Sequence, residues 1–502
     1  MADTKREIER KYEAAAGNEL PDLTRVGGVS AVVDKGLAQL DATYYDTVDQ
    51  RLAGASLTLR RRTGGADAGW HLKLPVSEGV RDEIHAPLSD TVPGYLSSLV
   101  RSRVRDAELV PLVRLRSARD IRHLVDAEGA LLAEVSLDRV RAERLSGGAG
   151  ATEWTEIEVE LADDGDPAFL DKVDKALRKA GVSRSSSPSK LARALEETGA
   201  PAARTTARDD EPPVTAGDHV LAYVRVQREA IVDLDPAVRR DVFDSVHSMR
   251  VATRRLRSTF RSFAKVLDRD VTDPIADDLK WLAGELGVDR DREVLTEHLT
   301  TALSELPRTL VSGPVQGRLK TWSNERRDGA RNRLITVLDG DRYLRLLNAL
   351  DALVADPPLL KAAAKDPAKV IAKAVRKDFG KVADLVGQAL DLPPGHDRDV
   401  AMHEARKKTK RTRYAAEAAA PALGKPAESL VKAMKSLQTV LGDHQDTVMA
   451  RETLRELSAT AYAAKENSFT YGVLYGREEQ RAAAAEAALP ELWRSVQGQV
   501  RI

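Results

Sequence analysis

The hydrophobic period of this chain changes once, near residue 218, and that change constrains the fold more than any other feature of the sequence. Before it, KREIERKYE, SLTLRRRT, WHLKLPV, LLAEVSLDRV and TEIEVEL alternate apolar and polar residues with period two, the signature of strands. Beyond it, apolar residues recur three and four apart in sequence rich in Ala, Leu, Arg, Lys and Glu, the signature of packed helices. Between the two lies TGAPAARTTARDDEPPVTAGD, which has no apolar period and reads as a linker. At 502 residues the chain is long enough for at least two domains. The expectation is an α+β chain, with a β domain over 3–197, a linker over 198–217 and an all-α domain over 218–498. Within the first, Asp166 to Gly181 reads as a helix with Pro167 at its start and Gly181 past its end. Within the second, Asp366-Pro367 marks another helix start.

The helical half contains itself twice, at about 218–360 and 366–498. HSMRVATRRLRSTFRSF starts at His247 and HEARKKTKRTRYAAEAA at His403. In both, His is followed by a base at +3, +7, +8 and +10: Arg250, Arg254, Arg255 and Arg257, then Arg406, Lys410, Arg411 and Arg413. About forty residues on, each copy carries Leu-Gly and an Asp four positions past the Gly: Leu286-Gly287 with Asp291, and Leu441-Gly442 with Asp446. So many matches at an offset of 155 or 156 residues imply two duplicated bundles. At about 100° per residue, positions 0, +3, +7 and +10 share a stripe roughly 80° wide. Arg261 extends the first stripe, and Lys407 adds to the bases of the second helix. Like charges crowded this closely destabilise a helix unless an anion answers them. The plainer alternatives are a solvated face, or ion pairs with acids on neighbouring helices. Asp291 and Asp446 read as residues that orient these bases or cap helices, not as metal ligands.

In the strand half the charges lie on single faces. Glu7, Glu9 and Lys11 point one way on their strand, and Glu156, Glu158 and Glu160 do the same on theirs. Arg60 and Arg62 share a face, as do His71 and Lys73, Arg114 and Arg116, and Glu134 and Asp138. A closed barrel with a charged interior accounts for the pattern, provided its charges are neutralised by a metal and a polyanion. Carboxylates are hard ligands for Mg²⁺ or Mn²⁺, and Arg and Lys suit a phosphate chain. Together they supply what phosphoryl transfer needs. The competing reading is a sheet with one solvated, salt-bridged face.

Composition removes several classes. There is no cysteine, so disulfides, thiolate metal sites and cysteine nucleophiles are excluded. Lys+Arg and Asp+Glu are equal at 78 each, and aromatics make up only 4%, which argues against a nucleic-acid partner. No Walker A sequence and no dinucleotide glycine fingerprint occurs. The charged opening MADTKREIERKYEAAAG lacks a signal-peptide core, and no uncharged apolar run reaches 18 residues, so a cytoplasmic protein without membrane spans is expected.

Several of these segments together carry a resemblance. EIERK (Glu7 to Lys11) is similar to the ExExK signature of the CYTH superfamily, the triphosphate tunnel metalloenzymes. YYDT, LRRR, HLKLP, SLDRV, EIEVEL and SKLARAL follow in that family's order, over about residues 3–197. The helical half resembles the CHAD domain over about 215–498. The resemblance implies an eight-stranded antiparallel tunnel that holds a triphosphate. It implies metal ligation by Glu7, Glu9, Asp138, Glu156 and Glu158, and phosphate binding by Lys11, Arg60, Arg62, Lys73, Arg116 and Lys190. Arg114 and Arg119 stand as alternatives to Arg116. Lys73 and one of Tyr44 and Tyr45 would assist catalysis, with the inward tyrosine left open. For the helical half it implies long-chain polyphosphate bound on the two stripes, and polyphosphate granules as a further location. The implied activity is metal-dependent hydrolysis of inorganic triphosphate or a related triphosphate. A thiamine triphosphatase, an adenylyl cyclase and a non-catalytic polyphosphate-binding protein are the alternatives.

Overall fold

The computed structural model describes residues 3–14, 19–199, 212–287, 290–324 and 327–500. It divides into two compact units, Met1–Asp210 and Glu211–Ile502.

The first unit is a closed antiparallel barrel. Its strands are β1 (Asp3–Ala14), β2 (Ala31–Asp46), β3 (Thr58–Thr63), β4 (Gly69–Ser77), β5 (Val80–Ala86), β6 (Val110–Val125), β7 (Leu131–Arg144) and β8 (Ala151–Leu161). Around the barrel the order is β1-β5-β4-β3-β2-β6-β7-β8. Closure puts β7, β8 and β1 on one wall and β4 and β3 opposite. Residues paired across a ladder share a face. The register links Tyr44 to Arg60, Arg60 to His71 and His71 to His85. It also links Arg119 to Asp138 and Asp138 to Glu156. Charged rows therefore run around the inside, and the apolar half of each alternation faces out.

Two helices cover those outer faces, and a third closes one end of the inner face. Helix α1 (Gly94–Val104) sets Leu96, Leu99 and Val100 against Leu59, Trp70, Leu72 and Ile84. Helix α2 (Ala168–Lys179) sets Phe169, Leu170, Val173 and Leu177 against Tyr12, Val135, Ile157 and Val159. Helix α3 (Lys190–Glu197) sets Leu191 and Leu195 against Val140, Ala142 and Trp154. The Ser189 side chain caps α3 by accepting from Ala192 N. Two hydrophobic cores thus lie outside the barrel, the third fills one end of its inner face, where Val140 and Trp154 share a face with Asp138 and Glu156, and the rest of the interior is free for polar chemistry.

The second unit is helical: α4 (Ala216–Arg239), α5 (Ser245–Ser262), α6 (Arg269–Glu285), α7 (Arg290–Ser304), α8 (Val315–Asn324), α9 (Arg327–Asp339), α10 (Asp341–Ala355), α11 (Pro367–Asp391), α12 (His396–Leu423), α13 (Lys425–Ala463) and α14 (Phe469–Gln499). A capping box of Thr215 and Asp218 starts α4. Pro367 opens α11 behind Asp366, whose carboxylate accepts from Ala368 N. One core joins α4–α6 with α9–α14, and a second joins α7 and α8 with the ends of α13 and α14. No helix among the described residues is long and apolar enough to cross a membrane.

Two glycines in the barrel separate backbone strain from crowding. Gly36 has φ +85° and open space where a Cβ would stand. Gly64 has φ +80°, and its Cβ would meet the Gln39 carbonyl oxygen at 2.0 Å. Gly36→Ala is expected to cost only the left-handed penalty, about 1–2 kcal/mol. Gly64→Ala adds a clash with backbone that cannot move aside, and we expect at least twice the loss. Urea denaturation of the barrel unit, comparing the shift of its transition in the two variants, checks this.

Candidate active site and basic cluster

The barrel interior holds a cavity of about 430 Å³ lined almost wholly by charged and polar side chains. Alternation on β1 turns Lys5, Glu7, Glu9 and Lys11 inward, and β3 and β4 contribute Arg60, Arg62, His71 and Lys73 from across the tunnel. The acidic wall of β7, β8 and β1 thus faces a basic wall of β3 and β4.

On the acidic wall, Asp138, Glu156 and Glu158 each bring a carboxylate oxygen within 4.8 Å of the others. The Lys190 ammonium reaches all three, at 2.9 Å from Asp138, 2.7 Å from Glu156 and 2.6 Å from Glu158. Arg119 adds a fork to Asp138, at 2.7 and 2.6 Å, and a bond to Glu158 at 2.6 Å. Burial alone would raise the Glu158 pKa, but Lys11, Lys190 and Arg119 hold it well below the usual carboxylate range. Asp138 is lowered too, with burial opposed by Arg119 and Lys190. The Trp154 ring N–H donates to Glu156 Oε2 at 2.6 Å and fixes that carboxylate. Glu156 Oε1 is buried and has no hydrogen-bond partner, although Lys190 lies near it. An all-oxygen donor set with an orphaned buried oxygen fits a hard divalent cation.

Glu7 and Glu9 take different surroundings. Glu9 lies 3.4 Å from Lys11, which reaches Glu158 at 2.7 Å. Glu7 pairs with Lys73, and the Lys73 ammonium is 3.7 Å from Glu83. Burial, and then the neighbouring Glu83, push Glu7 up to about 8 against the pull of Lys73. On the basic wall, Arg60 donates to the Tyr44 hydroxyl at 3.3 Å and approaches Glu83 at 3.4 Å. Burial opposes ionisation of Tyr44, yet Arg60, Lys190 and Lys11 bring its pKa below the usual phenol value. Burial, then Arg60 and Arg119, push Arg62 down, although Asp67 pairs with it. Burial lowers His71 to about 4, so this imidazole is neutral, and it sits 3.0 Å from Glu83.

Several sequence expectations require correction. Arg114 and Arg116 lie on the outer face of β6, both beside Asp41, and their side chains are 39% and 53% exposed. Arg119, an odd position on the same strand, is the arginine that lines the cavity. Tyr44 faces the cavity, whereas Tyr45 packs outside against Trp70 with ring centroids 4.9 Å apart. Lys5, Arg81 and Glu83 also line the cavity and were not singled out from sequence, and Glu134 and Glu160, read there only as parts of charged strand faces, line it too. VRDEIHA does alternate, with Arg81, Glu83 and His85 on one face, so β5 left a readable signal.

In the helical unit the two stripes converge, because α5 packs on α12. Burial and the charges of Arg406, Arg254 and Arg250 push Lys410 down to about 7, so bases of both repeats meet in one cluster. The repeated Leu-Gly has a steric reason. A Cβ on Gly287 would stand 2.7 Å from the Arg250 guanidinium, and one on Gly442 would stand 3.4 Å from that of Arg406. Each glycine makes room for the arginine three residues after its repeat's histidine. His247 is exposed, while His403 is half-buried, and burial lowers its pKa. Burial followed by Arg261 and Arg254 lowers Arg257, so those bases crowd together, and Arg261 is itself exposed. Burial raises Asp446 against the pull of Arg406. The side chain of Asp291 lies outside the described residues.

Other stripe residues are engaged in packing. Arg255 and Arg413 both pair with Glu417, at 3.0 and 3.5 Å, and both lie over the Tyr414 ring. Arg411 pairs with Asp378 at 3.0 Å and donates to the Arg261 carbonyl at 2.8 Å. Lys407 is exposed and pairs with Glu404 at 2.6 Å. These four hold helices or face solvent, so the clustered bases are Arg250, Arg254, Arg406 and Lys410.

The CYTH domain profile matches residues 5–195, and the CHAD domain profile matches residues 222–455. Two uncharacterized proteins from two strains of Mycobacterium tuberculosis are each 37% identical over 98% of this chain and 97% of their own length. Among solved structures, PptA from Streptomyces chartreusis is 22% identical with a TM-score of 0.48, covering 56% of this chain and 100% of that one. The CHAD domain from the plant Ricinus communis is 23% identical with a TM-score of 0.43, covering 58% and 94%. A putative adenylyl cyclase from Hippeastrum, described as having a dominant triphosphatase activity, is 19% identical with a TM-score of 0.22, covering 39% and 97%.

Lys190 is the cation that the buried triad depends on. Removing one partner of a buried ion network costs about 3–5 kcal/mol. In chelator, Lys190→Met is expected to melt several degrees below the unaltered protein, and added Mg²⁺ or Mn²⁺ should close most of that gap. Thermal melting with and without chelator reads both effects.

Proposed function

From the premise that this chain belongs to the CYTH family through its barrel and to the CHAD family through its helical half, we propose a metal-dependent phosphoanhydride hydrolase acting on inorganic triphosphate or a related small triphosphate. CYTH superfamily members are typically metal-dependent phosphoryl-transfer enzymes. The observation that carries the proposal is one cavity whose acidic side leads through Glu158 to the buried triad and whose facing side is a wall of bases. Asp138, Glu156 and Glu158 hold the metal, with Glu7 and Glu9 beside them. The bound metal, Mg²⁺ or Mn²⁺, supplies positive charge next to the phosphoryl group. Lys11, Arg60, Arg62, Lys73, Arg119 and Lys190 grip the phosphate chain and hold its terminal phosphorus in line for water. The Tyr44 hydroxyl accepts from Arg60, which leaves its own proton free for the departing phosphate oxygen. The helical half binds long-chain polyphosphate at the cluster of Arg250, Arg254, Arg406 and Lys410.

A second reading has one observation in its favour. Lys190 already satisfies the acidic triad, as it would in a non-catalytic polyanion socket. Phosphate release separates the two readings. The panel compares inorganic triphosphate, ATP, thiamine triphosphate and long polyphosphate, with Mg²⁺ or Mn²⁺ and with chelator. Metal-dependent release is expected with inorganic triphosphate, and no release under any condition would leave the socket. Arg119→Ala and Arg62→Ala should each lose about 10²-fold or more in rate, since each removes a buried cation facing developing charge. Arg114→Ala and Arg61→Ala should stay within a few-fold of the unaltered protein, because Arg114 pairs with Asp41 and Arg61 donates to the Ser89 carbonyl outside the cavity. Equal losses in both pairs would overturn the assignment of faces.

Polyphosphate binding should take up protons. Lys410 is held at about 7 by burial and by Arg406, Arg254 and Arg250. A polyanion among those bases favours the charged amine and raises its pKa. Between pH 7 and 8 a fraction of a proton is therefore absorbed per site, and binding weakens as pH rises through that interval. Calorimetry in buffers of different ionisation heat measures the uptake, which should vanish in Lys410→Met. Affinity should also fall steeply with salt.

A further inference from the structure

A second cluster of metal-ligand type lies in the helical unit, formed by three helices. Asp399 is on α12, His444 on α13 and Glu486 on α14, and a ligand atom from each lies within 4.8 Å of the others. His444 is 1% exposed. Its Nε2 is 3.2 Å from Asp399 Oδ1 and 3.4 Å from Glu486 Oε1. Even so, Nε2 makes a hydrogen bond to neither and is buried without a partner. A protonated imidazole held only by ion pairs would direct its N–H at one of those oxygens. A tetrahedral ion bound at about 2.0–2.1 Å sets its donor atoms about 3.3 Å apart, close to both separations.

The outer oxygens are anchored as a metal site needs. Arg398 donates to Glu486 Oε2 at 2.7 Å. Arg451 donates to Asp399 Oδ2 at 3.4 Å. Each arginine takes the far oxygen of its carboxylate and leaves the near one turned to the imidazole. Such outer partners orient carboxylate ligands around a metal. One nitrogen and two oxygens also differ from the all-oxygen set in the barrel, since imidazole suits zinc-like ions over Mg²⁺.

We propose that Asp399, His444 and Glu486 form a transition-metal site of the zinc class that ties α12, α13 and α14 together. Three protein ligands leave the fourth position to a water molecule. The ion adds a cross-link between helices distant in sequence, and so stabilises the helical unit. The proposal does not depend on hydrolysis in the barrel.

Co²⁺ titration of the metal-free full-length protein tests it. The expected result is one four-coordinate Co²⁺ per chain, seen by its intense visible bands and displaced by Zn²⁺, apart from any weakly absorbing Co²⁺ on the barrel carboxylates. Asp138→Asn should keep those bands, because it alters only the barrel cluster. His444→Gln and Glu486→Gln should each weaken binding more than 100-fold at unchanged circular dichroism. Arg398→Met should weaken it by about 10–100-fold. Zn²⁺ should also raise the melting temperature of the unaltered protein and not that of Glu486→Gln. If His444→Gln does not fold, Glu486→Gln gives the same reading. Only the weak bands of six-coordinate Co²⁺, or four-coordinate bands that persist in Glu486→Gln, would overturn the site. The cluster would then be an imidazolium held by two carboxylates.

Discussion

Three carboxylates and one ammonium meet inside the barrel, and the rest of that unit is arranged so that they can. Asp138 is fully buried, and Glu156 and Lys190 are nearly so. Burying a single unpaired charge of this kind costs several kcal/mol. Mutual neutralisation by Lys190, Lys11 and Arg119 makes the interior tolerable. It supplies little net stabilisation, because the desolvation cost consumes most of the attraction. The stability of the unit therefore has to come from elsewhere. It comes from the outward faces of the strands, where α1 and α2 bury leucine, valine and aromatic side chains, and from the end of the inner face that α3 closes. The barrel is in effect turned inside out, and its helices are the condition for its polar interior.

The helical unit meets a related problem with one sign of charge only. Arg250, Arg254, Arg406 and Lys410 crowd together, and the fold answers in part by steric room. Gly287 and Gly442 let each guanidinium lie close to a neighbouring helix. Lys410 responds by giving up its proton near neutral pH.

How far the sequence reached depended on which interactions are local. Alternation is local, so KREIERKYE, TEIEVEL and the other charged strands were legible, and with them the polar interior. Which face of a strand lies inside is set by closure. On β6 both faces carry arginine: Arg114 and Arg116 on one, Arg119 on the other. Only the register with Asp41 outside and Asp138 inside separates them. Strand β2 passed unread because AVVDKGLAQL exposes residues on both faces and so loses its alternation. In the helices the spacing of bases was legible, but their partners were not. Glu417 and Asp378 withdraw Arg255, Arg411 and Arg413 from the cluster, and those contacts join segments far apart in sequence. The same holds for Leu-Gly, visible as a repeated landmark whose reason is the arginine packed over it.

Closure of the barrel also has a consequence in time. Lys11 on β1 meets Glu158 on β8 across 147 residues of sequence. A ribosome adding about 5–20 residues per second needs roughly 7–30 s to make that interval. Until then one edge of β1 has no strand beside it, and Lys11 has no acid of β8 to answer it. Lys190 arrives later still, on the last helix of the unit. The chain therefore passes through a period in synthesis when an open strand edge is exposed, a state in which nascent proteins pair with one another. Its most vulnerable moment is set by the distance between its first strand and its eighth.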